Sequence, residues 1–190
     1  MILETKRTIL RPWEERDAEE LYKYAKDERV GPIAGWPVHT SVENSLEIIR
    51  GILSEPETYA VVLRETGKPV GSVGIMQYRE GSAFARPDEL RPNEAEIGYW
   101  LGVPYWGQGL IPEAVFELER RCFTELGRER VFCGYYDGNE KSRRVQEKCG
   151  FLPHHVHELE QPCPANGISR EYYSYLTKER WAQLRAGRRD

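Results

Sequence analysis

Glu96-Ile97-Gly98-Tyr99-Trp100-Leu101-Gly102-Val103-Pro104-Tyr105-Trp106-Gly107-Gln108-Gly109-Leu110-Ile111-Pro112-Glu113-Ala114 runs from an extended apolar segment, through a turn with two glycines, into a helix. Glu94 to Leu101 reads as a strand. After Gly109, Ala114, Val115, Leu118 and Cys122 recur at helical spacing and stop near Gly127. The first amides of a helix have no partner within it and point outward. The helix dipole adds partial positive charge there. Gly107 and Gly109 carry no Cβ, so a ligand can approach the backbone closely. Together these features make a phosphate cradle that needs no basic side chain. Pro112 falls in the first turn, where a missing N–H is tolerated. The plainer reading is a turn and a cap, and a short glycine motif alone leaves it open. The third Rossmann glycine is missing, and no Lys-Ser/Thr pair follows Gly109 as in a Walker loop.

Upstream, Ile2 to Arg11 is rich in β-branched and apolar residues and predicts a first strand ended by Pro12. Asp17 is placed to cap a helix running to about Lys26. Val30 to Pro37 is a loop punctuated by Gly and Pro. Thr40 and Glu43 have capping-box spacing for a second helix reaching about Ser54. Tyr59 to Arg64 and Pro69 to Tyr78 predict a hairpin turning at Glu65-Thr66-Gly67-Lys68, and residues 79–93 a long polar loop. Downstream come a strand over Val131 to Tyr136, a helix over Glu140 to Cys149 closed by Gly150, and a further strand. A Pro-flanked loop, a strand over Ser169 to Thr177 and a helix from Lys178 complete the chain. The order β-α-α-β-β-β-α-β-α-β-β-α predicts an α/β (α+β) fold, a mixed sheet with helices on its faces.

Composition narrows the function. A chain of 190 residues is read as one domain over 1–190, long enough to bury a core without staples. A hydrophobic share of 39% and a charged share of 31% predict a globular protein. No apolar run approaches membrane length, and the start lacks a signal-peptide pattern, so a cytoplasmic location is expected. Cys122, Cys133, Cys149 and Cys163 form no CxxC pair and read as reduced thiols. A formal net charge of −4 argues against direct nucleic-acid binding and suits a cationic substrate. The basic tail Arg185, Arg188 and Arg189 reads as solvated chain.

The opening stretch, with Glu96 to Leu101, Tyr105 to Gly109 and Pro112 to Ala114, resembles the acetyl-CoA motif of the GNAT acetyltransferases. The closest likeness is to their ribosomal-protein N-terminal acetyltransferase (RimJ/RimL-like) branch. Asn139, Ser142, Arg144, Val145, Glu147, Lys148, Gly150 and Phe151 resemble that branch's second block at its usual separation. Glu4 to Trp13 and Glu171 to Trp181 resemble its first strand and its closing strand and helix. The resemblance implies a mostly antiparallel, seven-stranded sheet splayed between strands 4 and 5, with helices on both faces. It implies acetyl-CoA as co-substrate, and transfer to the α-amine of a protein N-terminus or to a small amine such as an aminoglycoside or polyamine. A non-catalytic acyl-CoA-binding sensor is the competing class. The protein is expected as a monomer or homodimer.

By that resemblance, the backbone of Leu101 and Val103 would pair with the pantetheine arm. The amides of Gly107, Gln108, Gly109, Leu110 and Ile111 would bind the pyrophosphate. Asn139 and Ser142 would hydrogen-bond coenzyme A, although Asn and Ser also favour helix starts. Arg143, Arg144 and Lys148 are either ribose-phosphate contacts or a solvated face. Two departures stand out: Pro104 replaces a basic or Gln residue, and Gln146 replaces a tyrosine that protonates the departing thiolate. Ser142 is the candidate substitute acid. Acetyl transfer also needs a neutral amine, and Glu96 is the candidate base; Glu94 shares its face, and an ion-paired surface role is the alternative for Glu96. An N–H near Val103 would meet the oxyanion. Trp36, beside His39, and Tyr99 are the candidate substrate-facing residues. His154, His155 and His157 lack the spacing of a zinc site, so no metal is expected.

Overall fold

The computed structural model describes residues 1–77 and 90–187. Eight strands form one sheet in the order β1-β2-β3-β4-β5-β6-β8-β7. They are β1 Leu3–Glu4, β2 Thr8–Arg11, β3 Thr58–Leu63, β4 Pro69–Gln77, β5 Glu94–Leu101, β6 Arg130–Tyr136, β7 Leu152–Glu158 and β8 Arg170–Thr177. The helices are α1 Ala18–Ala25, α2 Val42–Arg50, α3 Leu110–Thr124, α4 Glu140–Cys149 and α5 Lys178–Ala186. Neighbouring strands run antiparallel, while β5 and β6 run parallel.

The expected first strand is two strands, which raises the count from seven to eight. The chain turns back at Thr5, placing Leu3 opposite Leu10. Thr5 drives the reversal. Its amide donates to the Thr8 carbonyl at 2.9 Å, and its hydroxyl accepts from the Thr8 amide at 2.9 Å. Helix starts also shift. Asp17 precedes α1, but its carboxylate accepts from the Arg11 guanidinium at 2.6 and 2.8 Å and from the Glu14 amide at 2.9 Å instead of capping α1. Ser41, one residue past the expected Thr40, caps α2 by accepting from the Asn44 amide at 3.0 Å. The helix ends at Arg50, and a 3-10 turn over Ile52–Ser54 finishes the predicted span. Most of the predicted 79–93 loop, and Tyr78 of the predicted strand, lie outside the described residues.

Strand alternation sorts the side chains of β5 onto two faces. Ala95, Ile97 and Leu101 join a core with Leu110, Ala114, Leu118, Cys122 and Phe123 of α3. Trp100, on the opposite face, packs with Trp13, with Leu21 and Ala25 of α1 and with Ile49 of α2. Helices therefore cover both faces, as expected. All four cysteines are free and buried. Among the described residues, no helix is long and apolar enough to cross a membrane.

The feature that positions the site is a short parallel contact. β5 and β6 pair only at Glu94/Arg130, Ala95/Val131 and Glu96/Phe132. Beyond that point β5 continues to Leu101 and β6 to Tyr136 without pairing to each other. The sheet is splayed at the predicted place.

Ion pairs pin the far half of α3. Arg121, 6% exposed, donates to Glu57 from Nε at 2.6 Å and Nη2 at 2.5 Å, and Tyr59 Oη donates to the same carboxylate at 2.7 Å. Arg185, read from sequence as solvated tail, pairs with the fully buried Glu119 of α3. The Arg121 guanidinium holds the Glu57 carboxyl below the ordinary carboxylate range. Its folded-state pKa is depressed, so the pair stabilises the fold above the ordinary value and the contribution fades as pH falls through the folded value. Glu57→Gln is expected to lower the unfolding free energy by about 3 kcal/mol at neutral pH. Urea titrations should show the gap to the unmodified protein narrowing below the ordinary carboxylate value of 4.5.

Candidate active site

The turn between β5 and α3 is built from local hydrogen bonds. The Gly102 amide donates to the Val70 carbonyl on β4 at 2.8 Å, so Leu101, one residue earlier, turns its polar groups toward the splay. The Leu101 carbonyl is engaged there by the Trp106 indole N–H at 2.7 Å. Val103 is not an extended continuation of β5. It opens a 3-10 turn over Val103–Tyr105, closed by the Tyr105 amide on the Gly102 carbonyl at 3.0 Å and the Trp106 amide on the Val103 carbonyl at 3.1 Å, with Pro104 at a position where its fixed φ fits. Gly107 and Gly109 both adopt φ 76°, the left-handed region, so glycine is required for conformation as well as for close approach.

Side chains cap α2, α4 and α5, from Ser41, Asn139 and Thr177. The cap residue of α3 is Gly109, which has no side chain, so the amides of Leu110 and Ile111 receive no side-chain cap. Their own side chains are buried and fix the helix start. Gln108 folds back, donating from Nε2 to the Pro104 carbonyl at 2.9 Å. Arg7 reaches the turn, donating to the Gln108 carbonyl at 2.9 Å, and is held by Glu113 at 2.8 Å. Nothing in the sequence pointed to Arg7, which is 101 positions from its partner.

Across the splay, the cap of α4 meets β5. Asn139 accepts from the Ser142 amide at 3.2 Å, the helix-start role the sequence allowed. Ser142 Oγ, buried, lies 2.8 Å from the Tyr99 hydroxyl and accepts from Gln146 Nε2 at 3.3 Å. Gln146 also accepts from Ser174 Oγ at 2.5 Å. The residue in the expected tyrosine position thus braces a polar chain, and a phenol reaches Ser142 from β5. Burial raises the Tyr99 pKa well above its ordinary value, so the phenol keeps its proton at neutral pH. Arg143 is tied to Glu140 at 2.7 Å and Glu147 at 2.6 Å on an exposed face.

The opposite sheet face carries the carboxylates. Glu94 and Glu96 share it, as expected, and both are 6% exposed. Glu96 is buried on an interior strand, opposite Met76 and Phe132, which removes the surface part of its alternative role. Glu94 accepts from the Arg91 amide at 3.1 Å and lies 3.5 Å from Arg130. Trp36 stands edge-on to Trp100 at 5.7 Å and near His39 at 5.4 Å. Tyr99 and Trp36 lie on opposite faces of the sheet: strand alternation sends Tyr99 to the α4 side, and Trp36 packs on Trp100 on the other. His155 stacks on Tyr173, and His154 packs against Phe132 and Tyr175. Among the described residues, no group of three His, Cys, Asp or Glu side chains is arranged to hold a metal ion.

A splayed sheet with an uncapped helix start beside it is a place where an extended ligand carrying an anionic group can lie. Residues 7–152 match the Acetyltransferase (GNAT) domain, and the chain belongs to the GNAT acetyltransferase family. It is an acyltransferase, and acetyl-CoA is its acetyl donor. YoaA of Bacillus subtilis (strain 168), named an uncharacterized N-acetyltransferase, is 26% identical over 155 residues, covering 79% of this chain and 82% of YoaA. YdaF of the same strain, provisionally named a ribosomal N-acetyltransferase, is 39% identical over 88 residues, 45% of this chain and 47% of YdaF. A GNAT-family acetyltransferase from Bacillus anthracis shares the fold with a TM-score of 0.79 at 21% identity, over 94% of this chain and 99% of that one. AAC(6')-Ib, solved with ribostamycin and coenzyme A, shares it at 0.72 and 18% identity, over 93% and 96%.

A Cβ at Gly107 would meet nothing within 4 Å, so a large side chain there has room but must adopt φ 76°. Gly107→Trp is expected to cost about 1–2 kcal/mol of stability and leave the protein folded. Calorimetry should show coenzyme A affinity falling by about tenfold or more, as the side chain obstructs the amides.

Proposed function

We propose that residues 1–190 form one N-acetyltransferase domain of the RimJ/RimL-like branch, working in the cytoplasm as a monomer or homodimer. Its acceptor is the α-amine of a protein N-terminus. The observation that carries this reading is the pairing of the uncapped α3 start with a splay that has Glu96 on one face and Tyr99–Ser142 on the other. The wording of the block from Asn139 to Phe151 and the local likeness to YdaF support the choice of acceptor. The fold shared with AAC(6')-Ib, which was solved with ribostamycin, favours a small amine as the second reading, because one fold hosts both.

Acetyl-CoA supplies the activated acetyl group, and the chain's residues hold, orient and move protons. The amides from Gly107 to Ile111 take the pyrophosphate, and Leu101, Val103 and Asn139 line the arm. An unperturbed amine titrates at roughly 8–10 and is mostly protonated at neutral pH. Glu96 takes that proton, directly or through a water. The nitrogen lone pair then attacks the thioester carbonyl, an N–H near Val103 meets the oxyanion, and the carbon–sulfur bond breaks. Ser142, backed by the protonated Tyr99, gives a proton to the sulfur; the nitrogen loses its second proton to solvent as the amide forms, and Ser142 regains one from solvent. None of the four buried cysteines is placed as a nucleophile, so transfer is direct.

The deciding measurement is thiol release with ribosomal-protein N-terminal peptides against spermidine and an aminoglycoside. Turnover of peptides is expected; turnover of only the small amines would reassign the acceptor. Lack of acetyl-CoA binding at millimolar concentration would overturn the site itself, and binding without turnover of any amine would leave a sensor.

Glu96→Gln is expected to lower kcat by about 10²-fold, and an unchanged kcat would remove Glu96 from the role. Tyr99→Phe is expected to lower kcat by roughly tenfold, near the value of one hydrogen bond, with acetyl-CoA affinity preserved in calorimetry.

A further inference from the structure

The face that carries Glu94 and Glu96 holds a third buried carboxylate, Glu171 on β8, 5% exposed. Its place follows from the register. Glu96 pairs with Phe132, and Phe132 pairs with Tyr175. Residues two apart on a strand share a face, so Gly134 and Tyr136 join Phe132, and Tyr173 and Glu171 join Tyr175. Gly134 lies two residues past the last β5–β6 pair, where the strands have parted. Glu171 leans over it: a Cβ built on Gly134 would lie 2.9 Å from Glu171 Oε1 and 3.2 Å from the Tyr173 ring. Any larger residue at that position would displace the carboxylate from the rim of the splay.

The carboxylate is also fixed in direction. Tyr173 Oη donates to Oε2 at 3.0 Å, and the Tyr173 ring is stacked on His155 at 4.9 Å with an interplanar angle of 3°. Tyr136, on the same face, abuts Gly35, the neighbour of Trp36. A negative group bordered by aromatic rings is a receptor for a cation, since carboxylate and ring faces both attract positive charge. Low local dielectric strengthens that attraction.

We infer that Glu171 is the specificity-determining carboxylate for the acceptor. It receives the positively charged amino group of the incoming molecule before Glu96 takes its proton. The class it selects is a primary ammonium, as against a neutral hydroxyl or an anionic acceptor. This rests on the acetyltransferase reading of the site.

Steady-state kinetics of Glu171→Gln with the best amine of the peptide, spermidine and aminoglycoside panel test it. The acceptor KM should rise by about tenfold or more, with kcat and the acetyl-CoA KM within about threefold, the signature of lost uniform binding. Glu171→Asp keeps the charge one methylene back. Its acceptor KM should fall between the two, and it carries the test should the Gln variant not fold. An acceptor KM unchanged in the folded variants, or a kcat loss without a KM rise, overturns the role of Glu171 alone. Absence of turnover by the unmodified protein with every amine overturns the parent reading, and this one with it.

Discussion

Three residue pairs between β5 and β6 decide what this molecule can do. Glu94, Ala95 and Glu96 meet Arg130, Val131 and Phe132, and then the strands separate. A longer parallel ladder would have closed the sheet and left no edge for a ligand backbone. A shorter one would have cut the core where Ala95 and Val131 are fully buried. The separation also frees the two faces for different work. The α3–α4 side holds helix amides and the Tyr99–Ser142 pair, and the other side holds the carboxylates and aromatic rings. In the proposed reaction, proton removal and proton delivery would fall on opposite sides of the reacting bond.

The electrostatics follow the same division. On the helix side the protein offers dipoles: the Leu110 and Ile111 amides, with no basic residue at Pro104. On the sheet side it offers buried negative charge. An anionic ligand and a cationic one would thus be drawn to different surfaces of one opening.

Much of this was legible in the chain. Glu140–Cys149 was readable to the residue, because Asn139 and Gly150 are unambiguous punctuation for a helix. The strand–turn–helix from Glu94 through α3 was readable for the same local reasons. What escaped were outcomes of tertiary competition. Asp17 had the chemistry of a cap, but the Arg11 guanidinium outbids a backbone amide for a carboxylate. The reversal at Thr5 hid inside a run of strand-forming residues, since β propensity is blind to where a strand folds back. Val103 looked extended, as a residue before proline usually is, but the Tyr105 and Trp106 amides and the Trp106 indole close a turn over it. Of the candidate site, the glycine turn, Glu96 and Ser142 were nameable from sequence. The link from Tyr99 to Ser142 spans 43 positions, and that from Arg7 to Gln108 spans 101, so no local pattern exposes either.

The burial of the cysteines has a bearing on the product. Each turnover releases a free thiol, coenzyme A, which exchanges readily with exposed protein thiols once oxidants are present. Cys122 is fully buried, and burial pushes its pKa up to about 12, so it supplies almost no thiolate. Cys133 and Cys149, at 1% and 2% exposure, flank the Tyr99 side of the splay without a surface to offer. A protein that makes a reactive sulfur as its by-product has hidden its own sulfur from it.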